Sequence, residues 1–217
     1  MKENQPSATR VKICGIRQLA DALVAAENGA SFLGYVFHEK SPRNLEPLLA
    51  AEIISEVRRQ FPAVRHVGVF ANERIDQLLR IIRMAGLDIA QLHGEEAPDY
   101  CGRTRAECGA VIKAIRIGAD APEVRWEDSP ADYFLCDTFS PSQAGGLGEA
   151  FDHTLLPSSL PMDRVFIAGG LTAENVAKVI KDLRPFCVDV SSGVESSSGV
   201  KSRELIRQFL LAAHTRS

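Results

Sequence analysis

Four short stretches of this chain carry side chains that could do acid–base or recognition chemistry. Cys14 closes an apolar run, Val11-Lys12-Ile13-Cys14-Gly15-Ile16. As a thiolate it could serve as base or nucleophile, although a lone cysteine ordinarily reads as a small buried hydrophobe. Asp137 closes another, Phe134-Leu135-Cys136-Asp137-Thr138. Solubility explains an acid after three apolar residues poorly. It reads either as a helix cap or partner for a buried lysine, or as a general acid whose pKa is raised by burial. Gln91 and His93, in Gln91-Leu92-His93-Gly94, are supporting candidates, and a lone histidine is more often structural. Arg43, in Ser41-Pro42-Arg43-Asn44, lies in a loop. There its guanidinium could hold a carboxylate with two parallel hydrogen bonds.

Two glycine-bearing turns add a candidate anion site. The runs Val165-Phe166-Ile167-Ala168-Gly169-Gly170-Leu171-Thr172 and Cys187-Val188-Asp189-Val190-Ser191-Ser192-Gly193-Val194 each pass from an apolar stretch into a turn, with a helical pattern beyond. Glycine lets backbone approach a ligand, and helix starts present unpaired N–H groups. Gly169, Gly170, Ser192 and Gly193 are therefore read as a phosphate cup. The loop Gln143-Ala144-Gly145-Gly146-Leu147-Gly148 follows Asp137 closely and reads as a flap over substrate, with Gly146 a further phosphate candidate.

The elements that must position these residues alternate along the chain. Strand candidates fall at 11–15, 32–37, 65–70, 88–92, 111–116, 133–137, 164–168 and 187–191. Helical patterns fall at 18–28, 47–60, 73–85, 97–107, 173–182 and 201–213, with weak stretches near 119–131 and 150–160. Such alternation calls for a parallel sheet with helical crossovers, and eight strands suggest closure into a single (β/α)8 TIM barrel. An open doubly wound sheet is the rival, but no Gly-x-Gly-x-x-Gly follows the first strand. In a barrel, catalytic groups come from the C-terminal strand ends and phosphate binds after strands 7 and 8, where the candidates lie. Period-two alternation puts Lys12 with Cys14, Gln91 with His93, and Asp189 with Ser191 on common sides. Lys12 and Asp189 would then meet across adjacent strands and pair as a structural element.

Composition bounds the rest. A chain of 217 residues supports one core and one domain. Residues 11–217 are taken as the barrel, and 1–10, polar through Thr9 with no signal-like apolar stretch, as a loose tail. The 25 basic and 28 acidic residues give no electrostatic case for nucleic acid or membrane. No apolar run is long enough to span a bilayer. Five cysteines without metal-ligand spacing read as reduced thiols in a cytoplasmic protein; Cys101, Cys108, Cys136 and Cys187 lack a functional context. No metal site is expected.

In order along the chain, Lys-Ile-Cys-Gly-Ile at 12–16, Ser-Pro-Arg at 41–43, Val-Gly-Val-Phe at 67–70, Gln-Leu-His-Gly at 91–94, Ala-Gly-Gly-Leu at 168–171 and Val-Ser-Ser-Gly-Val-Glu at 190–195 resemble the phosphoribosylanthranilate isomerase family from Val11 to about Phe209. The resemblance implies an Amadori rearrangement in tryptophan biosynthesis, without metal or organic cofactor. It makes Asp137 the general acid at the furanose oxygen and Cys14 the base at C2′. Arg43 would hold the anthranilate carboxylate, and Gly146, Gly169, Gly170, Ser192 and Gly193 the phosphate. A small-molecule substrate is the expected ligand, and a second copy of the chain is a candidate partner. The chain departs from the family's usual residues at Leu147 (a threonine), His153 (a tryptophan) and in Ser198-Gly199-Val200-Lys201-Ser202 (Pro-Gly-x-Lys-Asp). Two alternatives stand beside this: the related histidine-pathway barrel, which usually has aspartate where Cys14 stands and two half-sites that are not evident here, and a sugar-phosphate binder without turnover.

Overall fold

A computed structural model describes residues 8–116, 129–137, 156–157 and 159–215. Its elements follow the alternation of the sequence. They are β1 (Arg10–Cys14), α1 (Leu19–Glu27), β2 (Phe32–Val36), α2 (Pro47–Gln60), β3 (Arg65–Phe70), α3 (Ile75–Ala85), β4 (Ile89–Leu92), α4 (Pro98–Glu107), β5 (Ala110–Arg116), β6 (Tyr133–Asp137), β7 (Val165–Ala168), α5 (Val176–Leu183) and β8 (Cys187–Val190). A short antiparallel pair, β9 (Glu195–Ser197) and β10 (Val200–Lys201), then leads into α6 (Arg203–His214). Strands β1 to β8 pair in parallel in chain order and β8 closes on β1. The fold is the eight-stranded parallel barrel.

Local sequence accounts for the helices. In α2, Pro47 stands in the first turn, where its missing N–H costs nothing. Its buried residues Ala50, Ile53, Ile54 and Val57 fall at i, i+3, i+4 and i+7. Helix α3 repeats that spacing with Leu78, Ile81, Ile82 and Ala85, and ends on Gly86 at φ 69°. These stripes pack on the outer face of the barrel and form the larger core. A second cluster fills the barrel interior with Phe32, Val67, Ile89, Ile112, Leu135, Phe166 and Cys187. Above that apolar plug the inward residues turn polar, and this is where the candidate site lies.

Three local differences from the sequence expectation have physical causes. The barrel reaches back into the expected tail: Arg10 opens β1, and the Thr9 hydroxyl donates to Pro185 O at 2.9 Å. Helix α5 starts at Val176 rather than 173 because Asn175 closes the turn before it, donating to Gly170 O and accepting from Thr172 N–H, each at 2.9 Å. The turn after β8 does not run straight into a helix. It winds through one 3-10 turn, Ser192–Val194, and the β9–β10 pair comes before α6. The weak stretches near 119–131 and 150–160 lie largely outside the described residues.

Candidate active site

At the C-terminal ends of the strands a cavity of about 410 Å³ is lined by Cys14, Arg43, Gln91, His93, Asp137, Gly169, Gly170, Asp189, Ser192 and Gly193, among others. The opposite end of the barrel holds a broader hollow, about 760 Å³, edged by Arg10, Arg65, Phe32 and Phe186. That hollow has no acid–base pair, whereas the smaller cavity collects every described candidate of the sequence analysis. Gly146 and the rest of the loop 143–148, with His153, lie outside the described residues.

Cys14 ends β1 with its side chain inward and 7% of its surface exposed. Gly34 on β2 makes the room: a Cβ there would stand 2.8 Å from Cys14 Sγ and 3.2 Å from Lys12 Cε. Two positions below the cysteine, Lys12 is fully buried and its Nζ donates to Asp189 Oδ2 at 2.9 Å. The register Lys12↔Asp189 between β1 and β8 sets that pairing, as the sequence alternation anticipates. Burial pushes the Cys14 thiol up, and the neighbouring Lys12 ammonium pulls it back toward the thiolate. Burial also works against the Lys12 charge, but Asp189 and Cys14 together outweigh it and hold the ammonium above its ordinary value.

Asp137 ends β6, inward with Leu135 below it. Its neighbour is His93, the first residue after β4, with Nε2 3.5 Å from Asp137 Oδ2. The other ring nitrogen, Nδ1, meets Gln91 Nε2 at 2.9 Å. The Asp137 side chain keeps 28% exposure, so it is less enclosed than the sequence analysis assumes and is open to the cavity. A network missed by that analysis holds the loop carrying His93. Lys113 Nζ donates to Gly94 O and Glu96 Oε2, both at 2.6 Å, while Glu96 accepts from Asn72 N at 2.8 Å.

Arg43 reaches the cavity from the loop after β2, but one edge of its guanidinium is taken. Nε and Nη2 donate to Glu195 Oε1 and Oε2 at 2.7 and 2.8 Å. Nη1 meets no acceptor among the described residues. Burial would raise the Glu195 carboxyl, but its bonds from Arg43 and Lys201 hold it down to about 2. Neither Glu195 nor Lys201 was singled out from sequence, although Glu195 closes the motif at 190–195.

The two glycine turns meet. A Cβ on Gly193 would fall 1.9 Å from Leu171 O, so the turn after β8 lies directly on the turn after β7. Gly169 and Gly170 adopt φ of 95° and 61°, conformations that L side chains avoid. Among the described residues no acceptor meets the N–H groups of Gly169, Gly170, Ser192 or Gly193. Four amides around one concavity, without an acceptor among the described residues, suit a dianion.

The N-(5′-phosphoribosyl)anthranilate isomerase family model matches residues 11–212. The chain belongs to that family. It is 44% identical over 205 residues to the N-(5′-phosphoribosyl)anthranilate isomerase of Geobacter sp. strain M21, covering 94% of this chain and 98% of the relative. The crystal structure of phosphoribosyl anthranilate isomerase from Thermus thermophilus superposes with a TM-score of 0.82 at 38% identity, covering 94% of this chain and 98% of that one. A second phosphoribosyl anthranilate isomerase was solved with reduced 1-(o-carboxyphenylamino)-1-deoxyribulose 5-phosphate; it is 34% identical, with a TM-score of 0.74 and coverage of 94% and 98%. Membership in the phosphoribosylanthranilate isomerase family makes this barrel an isomerase of tryptophan biosynthesis. Ser202, where the family usually has aspartate, caps α6 by accepting from Leu205 N–H at 3.3 Å. Serine and aspartate are near-equal N-caps, so that departure is structurally conservative. No helix of the described residues is long and apolar enough to cross a membrane.

Proposed function

We propose that Asp137 and Cys14 are the acid and base with which this isomerase rearranges N-(5′-phosphoribosyl)anthranilate to 1-(2-carboxyphenylamino)-1-deoxyribulose 5-phosphate. The observation that carries this reading is one cavity lined by three kinds of group: the guanidinium of Arg43, four amides of the β7 and β8 turns that meet no acceptor among the described residues, and the side chains of Cys14 and Asp137. The substrate has matching parts, with a carboxylate at one end, a phosphate at the other and a ribose in the middle. Strands β1 and β6 are three places apart around the barrel, so the two groups address the sugar from different walls.

In the first step the Asp137 carboxyl gives its proton to the furanose oxygen, and the C1′–O bond breaks to leave an iminium. The Cys14 thiolate then takes the C2′ proton, and the electron pair forms the C1′=C2′ bond of an enolamine. Tautomerisation carries a proton to C1′ and releases one from the C2′ hydroxyl, giving the ketone. One group must arrive protonated and the other deprotonated. His93, held by Gln91, is positioned to orient the Asp137 carboxyl.

The test is loss of anthranilate fluorescence when purified protein meets the substrate. Wild type should turn over, and Asp137→Asn should fail while melting at the wild-type temperature. An Asp137→Asn protein that unfolds would mark the aspartate as structural and remove its assigned role. An Asp137→Asn protein that still turns over would remove it too.

A further inference from the structure

Arg43, Glu195 and Lys201 form a largely buried cluster of two cations and one carboxylate. Lys201 Nζ donates to Glu195 Oε1 at 2.8 Å and to Ser191 O at 2.9 Å, while Glu195 holds the Nε–Nη2 edge of Arg43. The Glu195 and Lys201 side chains are 4% and 1% exposed. Of the other ions of the cavity, Lys12 is matched by Asp189 and Asp137 faces His93, which leaves the Cys14 thiol, once ionised, as the one further anion that Arg43 and Lys201 feel. Two cations against one carboxylate leave the cluster one positive charge in excess. Burying charge without an answering charge is unfavourable. Burial indeed pushes the Lys201 ammonium below its ordinary value despite Glu195 beside it. The cluster therefore lacks one negative charge, on the side where Arg43 meets the cavity.

We propose that Lys201 is the positioning residue that lets Arg43 be clamped and still attract a carboxylate. The proposal rests on the reading of Arg43 as the anthranilate-carboxylate site. Glu195 fixes the plane of the guanidinium by its side edge and leaves the end edge free. That clamp alone would cancel the charge of Arg43, leaving a rigid donor with little net pull on an anion. Lys201 cancels Glu195 instead. It is not among the residues lining the cavity, so it acts on the ligand through charge alone. The β9–β10 pair, which interrupts the usual strand-to-helix link, carries both members of this arrangement: Glu195 opens β9 and Lys201 closes β10.

Charge balance makes the idea testable. Lys201→Met leaves the cluster neutral, and Glu195→Gln with Lys201→Met returns it to one positive charge. Steady-state kinetics would be measured on N-(5′-phosphoribosyl)anthranilate and on its decarboxylated counterpart, with aniline in place of anthranilate. Lys201→Met should raise KM for the carboxylate substrate on the order of tenfold, the scale of one charge acting through a partly screened site, and should leave the KM for the aniline substrate nearly unmoved, with any change in kcat shared by both substrates. The double variant should recover most of that KM loss. If Lys201→Met does not fold, Glu195→Gln and the double variant still differ only in the Lys201 charge, and the double should show the higher KM for the carboxylate substrate alone. A KM rise shared by both substrates would overturn the proposal. So would a fall in kcat with KM unchanged, which would assign the surplus charge to the Cys14 thiolate. Arg43→Ala separates the two layers: if it too fails to discriminate between the substrates, the carboxylate reading of Arg43 falls, and if it alone discriminates, only the role of Lys201 does.

Discussion

Lys12 and Asp189 stand at one level inside the barrel, their charges 2.9 Å apart and 177 residues apart in the chain. Asp189 Oδ1 is buried without a partner among the described residues, and the lysine also lies under the Cys14 thiol. One ammonium therefore secures the last strand to the first and tempers the proposed base. Lys12→Met should destabilise the protein by about 3–5 kcal/mol, because it strands a buried carboxylate. In whatever protein remains folded, Cys14 loses the charge that pulls its thiol down, so the rise of kcat with pH should move to higher pH. Denaturant melts and pH–rate profiles of the two proteins check both halves. An unmoved profile would mean that Lys12 serves the fold alone.

Cys14→Ala should lower kcat by at least about 10²-fold, the low end for a positioned base. Binding of the reduced product analogue should change little, since the carboxylate and phosphate contacts assigned above do not involve the thiol. Activity within a few-fold of wild type would remove the cysteine from the mechanism.

Crystals grown with sulfate should show the anion against the amides of Gly169, Gly170, Ser192 and Gly193, where no protein acceptor competes among the described residues. Gly170→Val should raise KM through two effects. It places a branched side chain where nothing lies within 4 Å, and it forces that side chain to φ 61°. A sulfate found only at Arg43, with the turns empty, would argue against the phosphate site.

His66 sets an acid limit to stability. It is fully buried beside Tyr35, whose hydroxyl meets its Nδ1 at 3.1 Å, and burial lowers its pKa from 6.5 to about 4. The unfolded chain takes up this proton first as pH falls, so stability present above pH 6.5 should drain away between there and about 4. The loss is at most about 3–4 kcal/mol. Glu195, held down to about 2, loses its contribution only at lower pH, as its carboxyl protonates. Thermal melts across this range should slope for wild type and flatten for His66→Gln. Equal slopes would place the acid sensitivity elsewhere.

The barrel was legible because each strand is a short, mostly apolar run and helices such as α2 and α3 repeat one apolar stripe. Period-two alternation, with closure of the last strand on the first, was enough to suggest that Lys12 could pair with Asp189 before any register was known. The clamp on Arg43 was not legible. Arg43 and Glu195 are 152 residues apart, and they meet through two loops whose shape no local periodicity encodes. The β9–β10 pair escaped notice for a related reason. Glu195-Ser196-Ser197 and Val200-Lys201 are too short and polar to alternate, and side-chain bonds to Glu195 help hold them. The start of α5 was misjudged because Thr172, Ala173 and Glu174 suit a helix, while Asn175 spends its amide on the glycine turn instead.

Closure of β8 onto β1 has a consequence for synthesis. Until β8 leaves the ribosome, β1 has a neighbour on one side only, Lys12 has no carboxylate beside it, and the Arg43 loop lacks both Glu195 and Lys201. A nascent chain that stops at β7 would hold the proposed base and acid, yet would present an open edge and half a phosphate cup. Turnover must therefore wait for the segment from Cys187 to Lys201, and premature termination before its end should yield protein that is inactive and exposed to proteases together.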